Sequence, residues 1–119
     1  MQITLPEYYD SVEEAQKHVN FTILVPSYTA GYELESVSVL KNNVTLSYLK
    51  DDNFLVIRES TEKPKIPENL EEVEVGGEKA YYGEIYGYSV LYLEKNGVWV
   101  EISGKISKEE ILQIAESLG

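Results

Sequence analysis

The run Gly76-Gly77-Glu78-Lys79-Ala80-Tyr81-Tyr82-Gly83-Glu84-Ile85-Tyr86-Gly87-Tyr88-Ser89-Val90-Leu91-Tyr92-Leu93-Glu94-Lys95-Asn96-Gly97-Val98-Trp99-Val100-Glu101-Ile102 decides the fold. It carries Gly76-Gly77, Tyr86-Gly87 and Asn96-Gly97, separated by stretches rich in aromatic and β-branched residues. Two-residue loops of this kind close tight antiparallel hairpins and fix which residues lie opposite each other. Asn96-Gly97 as a tip sets Leu93 opposite Val100 and Leu91 opposite Ile102. On the other face Glu94 meets Trp99 and Tyr92 meets Glu101. Tyr86-Gly87 sets Tyr82 opposite Leu91 and Tyr81 opposite Tyr92, and Gly76-Gly77 sets Val73 opposite Ala80 and Glu74 opposite Lys79. The three turns agree on the same two faces.

The first half follows the same logic. Asn42-Asn43 as a tip pairs Val39 with Leu46 and Val37 with Tyr48, and the Lys50-Asp51-Asp52-Asn53 loop pairs Tyr48 with Leu55 and Leu46 with Ile57. One face is then aliphatic, from Val37 through Ile102. The other holds Ser38, Thr45, Ser47, Val56 and Arg58 with Tyr81, Tyr88, Tyr92, Trp99 and Glu101. Helical signals stand only at the ends. Ser11 with Glu14 and Ser107 with Glu110 have capping-box spacing. Val12, Ala15 and Val19 share one side of the first helix, and Ile111, Ile114, Ala115 and Leu118 form a stripe on the second. The pattern predicts an α+β domain: an antiparallel meander of six or seven strands, with short N-terminal and C-terminal helices packed on its aliphatic face. Pro64 and Pro67 make Thr61 to Asn69 a connection within the sheet rather than a strand.

The chain has 119 residues, so residues 1–119 are expected to form one domain. Twenty-one acidic against 10 basic residues give a net charge of −11, which argues against nucleic acid, since affinity for phosphates rests on Lys and Arg. An anionic membrane surface is disfavoured on the same ground. A hydrophobic content of 43% with ten Tyr excludes a disordered acidic tail. Without cysteine there is no disulfide, Cys-zinc site or thiol nucleophile. Residues Met1 to Pro6 have neither the basic region nor the apolar run of a signal peptide. Either the protein is cytoplasmic with Met1 as its native start, or an export segment precedes the chain.

Catalytic signals are sparse. His18 is the only histidine, near the end of the first helix, where a helix-terminus role or simple exposure outweighs general-base work. No serine lies in a Gly-x-Ser-x-Gly elbow. Glu84 and Glu101 lie among aromatics, as in a carbohydrate-active hydrolase, but the turn pairing puts them on opposite faces. Lys50-Asp51-Asp52-Asn53 lacks the ligand spacing of a calcium loop, and no phosphate-loop motif occurs. Gly83 and Gly87, four apart, mark a strand kink or a turn. No catalytic residue, metal or cofactor is therefore expected. Tyr81, Tyr88, Tyr92, Trp99 and Glu101, on the face the helices leave uncovered, form the candidate ligand-binding set. An aromatic patch of this kind serves a groove or an interface, or stabilises the sheet through cross-strand pairs.

Several segments, in order, resemble a domain-of-unknown-function family, number 4367. Ala15 through Phe21-Thr22-Ile23-Leu24-Val25-Pro26-Ser27-Tyr28 and Gly31-Tyr32-Glu33-Leu34-Glu35-Ser36-Val37 resemble its opening helix, Phe-x-x-x-x-Pro-x-Tyr strand and Gly-Tyr turn. Val44-Thr45-Leu46-Ser47-Tyr48 resembles its next strand, and Gly76 to Tyr82 its Tyr-Tyr hairpin. Asn96 to Gly104 and Ile111 to Leu118 resemble its closing hairpin and helix. The chain departs from the pattern at Thr29-Ala30, where a second proline and an acid are usual, and at Trp99, which follows rather than precedes Asn-Gly. The resemblance implies a bacterial or archaeal extracytoplasmic domain of lipoproteins or of anti-sigma and sporulation-type membrane proteins. It also implies a curved, lipoprotein-carrier-like sheet, and membrane attachment only through a segment absent from this chain. It implies no enzyme activity. The expected function is a non-catalytic binding or sensory domain for an apolar, lipid-like molecule or a protein partner. The alternatives are a small acid-dependent hydrolase and a pure oligomerisation module.

Overall fold

The structure, a computed structural model, describes residues 5–119; the expectation concerning Met1 lies outside them. Among the described residues eight antiparallel strands form one sheet: β1 (Glu7–Tyr9), β2 (Glu33–Leu40), β3 (Asn43–Lys50), β4 (Asn53–Ser60), β5 (Glu71–Val75), β6 (Glu78–Ile85), β7 (Tyr88–Lys95) and β8 (Val98–Gly104). Two helices accompany it, α1 (Val12–Gln16) and α2 (Lys108–Glu116). The architecture is α+β, with one strand more than the turns indicate. The added strand is β1, three residues long, paired with β2 through Tyr8 and Ser38.

The turn-based registers are observed at four of the five hairpins. Leu93 faces Val100, Tyr81 faces Tyr92, Val73 faces Ala80 and Tyr48 faces Leu55. The exception is β2–β3, where Val39 faces Val44 and Val37 faces Leu46. The tip is Lys41-Asn42, both left-handed (φ 49° and 65°), and the Asn43 side chain donates to the carbonyls of Leu40 and Lys41. The pairing moves by two residues, so every side chain keeps its face.

A simple meander is not what forms. The strand order is β1-β2-β3-β4-β8-β7-β6-β5, two four-stranded meanders joined where β4 pairs with β8. Hairpin turns report only on neighbours in sequence, so this junction carries no turn signal. After β4 the chain must cross β8, β7 and β6 to begin β5 at the far edge. Residues 61–70 make that crossing on the face opposite the helices: Lys63 lies over the Trp99 ring at 5.4 Å, and the Leu70 side chain fills the space beside Gly83.

The aliphatic face forms the core. Leu46, Leu55, Ile57, Leu91 and Ile102 are fully buried against Ile111 and Ile114 of α2 and Ala15 of α1. Each such side chain contributes about 1.5–3 kcal/mol. Ser107 and Glu110 close a reciprocal capping box on α2. On α1 only half the box forms, Ser11 Oγ accepting from the Glu14 amide, and the helix ends at Gln16, before Val19. The Gln16 side chain donates to the Phe21 carbonyl and accepts from the Ile23 amide, tying down the segment that follows. That segment does not form the strand expected of residues 21–28. It is extended with a single bridge, Pro26 to Leu118. At the end of α2, which has no basic residue in its last turn, Lys95 Nζ donates to the Leu118 carbonyl.

Candidate functional site

Period-two alternation along β8 puts Trp99 and Glu101 on the face away from the helices, and β4 puts Arg58 directly opposite Glu101. The guanidinium donates to the Glu101 carboxylate at 3.1 Å. Ser38 of β2 and Thr45 of β3 continue the same surface, and Glu62, Lys63 and Pro64 of the crossing segment rise beside it. Together they bound a groove of about 430 Å³. Its floor is hydroxyls and one ion pair. Trp99 forms a half-buried wall, and Pro6, Leu40 and Pro64 add apolar surface.

Of the candidate residues, the structure brings Trp99 and Glu101 into this groove and leaves the three tyrosines out of it. The face was expected to lie open, and here the crossing segment corrects that expectation. Tyr92 and Val90, on the helix-free face, are both only 7% exposed, as a sheet face covered by a segment of chain requires. Burial raises the Tyr92 hydroxyl above the usual phenol range; Glu101 adds to the shift and Arg58 opposes it. Tyr81 is half-buried opposite Tyr92 and beside Glu72 of β5. Tyr88 is exposed at the far end of β7, next to the hairpin tip, where Tyr86 is 96% exposed.

Glu84 accepts from the Tyr82 hydroxyl at 3.5 Å, on the helix side of the sheet, across the sheet from Glu101. His18 lies past α1, exposed, with its ring stacked on Tyr9 at a centroid distance of 4.7 Å. Among the described residues no group of three His, Asp or Glu side chains is placed to hold a metal ion. Asp51 sits in a left-handed turn position and the Lys50–Asn53 loop is solvent-exposed. Among the described residues no helix is long and apolar enough to cross a membrane.

One ionisable residue escaped the sequence reading. Glu59 follows Leu55 and Ile57 at period two on β4 and therefore points into the core, where it is 1% exposed. Its Oε1 accepts from the Leu24 amide at 2.6 Å, while Oε2 has no partner among the described residues. Burial pushes its carboxyl up to about 8, the Leu24 amide pulling the other way. Tyr48 is pushed up to about 12 by its own burial and then by Glu59. The alternation that sorts the valines and leucines was a sufficient signal for finding it.

A family model described as "Domain of unknown function (DUF4367)" matches residues 18–118. "Uncharacterized protein MJ0687" of Methanocaldococcus jannaschii is 36% identical over 119 residues, covering 91% of this chain and 36% of that protein. The chain thus spans about a third of the length of the curated relative it matches. No solved structure matches the chain.

Proposed function

Taking as premise that the chain belongs to the DUF4367 family, we propose that it is a non-catalytic binding or sensory domain that engages a protein partner through the Trp99 groove. The carrying observation is the groove itself, about 430 Å³, bounded by a segment that bridges the two halves of the sheet. A half-buried tryptophan beside an arginine is the composition that concentrates binding energy at interfaces. In this reading Arg58 and Glu101 exchange part of their mutual contact for a partner's polar groups. Lys63, whose ammonium lies over the indole ring, moves aside.

A protein partner is favoured over a lipid-like molecule because lipid carriage needs an enclosed apolar cavity. The aliphatic face is filled by its own helices, and the groove has charged and hydroxyl-bearing walls. Non-catalytic binding is favoured over acid-dependent hydrolysis because the Glu101 carboxylate is held by Arg58, with Glu84 on the opposite side of the sheet. An extracytoplasmic setting, on a curved sheet anchored by a segment outside this chain, is part of the same proposal and rests on the likeness to membrane-associated members of the family.

Selection of a random heptapeptide library on immobilised protein tests the reading. Enriched sequences should bind the wild type and lose at least about tenfold in affinity to Trp99→Ala, the usual scale of an interface anchor. Enriched peptides that bind both proteins equally would overturn the groove as the site.

A further inference from the structure

Glu59 is out of place in a binding domain without catalytic chemistry. A buried carboxyl with an unpaired oxygen is costly, and such groups persist where they do something. Its surroundings show what it holds. Val44 of β3 and Val100 of β8 flank it across the sheet, and neither side chain can bond the carboxyl. Its hydrogen bond goes to the Leu24 amide, in the extended segment that lies against the core between α1 and β2.

That segment is in turn joined to the C-terminal end of the chain. Val25 and Gly119 exchange both backbone hydrogen bonds, at 3.1 and 3.3 Å. The Ser27 amide donates to the Ser117 carbonyl at 3.2 Å, and the Tyr28 amide to the Ser117 hydroxyl at 3.0 Å. One carboxyl thus anchors a paired closure of two extended ends that covers the part of the core where Leu118 is buried. The groups facing Glu59 supply no countercharge. β3 brings the Tyr48 phenol, β8 brings Val100 and Ile102, and the segment itself brings Ile23 and Leu24. Among the described residues no Lys, Arg or His forms an ion pair with it. Ionisation therefore puts a charge into the core that the single Leu24 amide bond offsets only in part, and the segment carrying that amide, in neither helix nor strand, is the part of its surroundings that can give way.

We propose that Glu59 is a proton-operated latch: its neutral carboxyl keeps residues 23–27 and the C-terminal turn docked, and its ionisation releases them together. Arg58 and Ser60, its neighbours on β4, line the groove together with Glu59 itself, so the latch sits at the strand that connects the core to the candidate site. The raised carboxyl places the transition within the range a domain can meet.

Amide hydrogen exchange, corrected for intrinsic base catalysis, tests the latch between about pH 5 and about pH 9, a range that brackets the shifted carboxyl. In the wild type, protection at Val25 and Gly119 should fall by about tenfold or more across that range, while Leu91 and Ile102 in the sheet centre stay protected. Glu59→Gln, which keeps an acceptor for Leu24, and Glu59→Leu, which removes it, should both lose the pH dependence. A pH-independent wild type would overturn the proposal. So would the same fall in either variant, or a simultaneous loss across the sheet centre.

Discussion

Replacing Gly83 by alanine tests whether residues 61–70 cross the sheet on its helix-free face. A Cβ at position 83 would stand 2.4 Å from Leu70 Cδ2 and 3.7 Å from Leu70 Cγ. Only the terminal methyl is in conflict, and it belongs to a side chain that can rotate. Overpacking costs about 1–3 kcal/mol in general, and a movable methyl puts this case at about 1–2. Alanine also restricts the unfolded chain, which returns about 0.4–1 kcal/mol. The net loss is then about 1 kcal/mol, which lowers the urea midpoint by about 0.5 M for a small domain. Leu70→Ala removes the conflicting atom, so the double variant should show coupling of about 1 kcal/mol in a mutant cycle. An unchanged or raised midpoint for Gly83→Ala, with no coupling to Leu70, would refute the placement of the crossing segment.

Other substitutions probe the α2 cap, the core and the buried carboxyl. Ser107→Ala breaks the reciprocal cap on α2 and should cost about 1 kcal/mol in the same urea titration. Ile111→Ala leaves a hole where α2 meets the sheet and should cost about 2–5 kcal/mol, seen as a lower thermal midpoint. Glu59 holds a proton in the folded state, at a pKa of about 8, that the unfolded chain has lost above its ordinary 4.5. Its contribution to stability is therefore full below about pH 4.5 and declines as pH rises through about 8, by at most about 5 kcal/mol. Subtracting the stability profile of Glu59→Gln from that of the wild type isolates this slope from the titration of the other carboxylates.

Much of the architecture was legible because glycine and asparagine at tight turns impose register. Gly76-Gly77, Tyr86-Gly87 and Asn96-Gly97 each adopt left-handed backbone, and the pairing they imply is observed. Lys41 gives no turn signal, because lysine is an uncommon occupant of that conformation, and the adjacent Asn42-Asn43 is the stronger signal. The β4–β8 junction was not legible, since no turn connects those strands. With it went the route of residues 61–70, and so the cover over Tyr92 and the groove beside Trp99. Gly83 held the clue, as a mid-strand glycine marks a close approach by another part of the chain. Turn pairing places Arg58 and Glu101 on the same face, as observed, but their contact depends on the β4–β8 junction, which no turn encodes.

Whether the Trp99 groove is the binding surface is decided by titrating the isotope-labelled protein with a set of small fragments and mapping backbone amide shifts. Shifts should gather on Ser38, Thr45, Arg58, Trp99 and Glu101 and vanish for the same fragments in Trp99→Ala. Shifts that gather instead on Tyr86 and Tyr88, or survive the loss of Trp99, would contradict it.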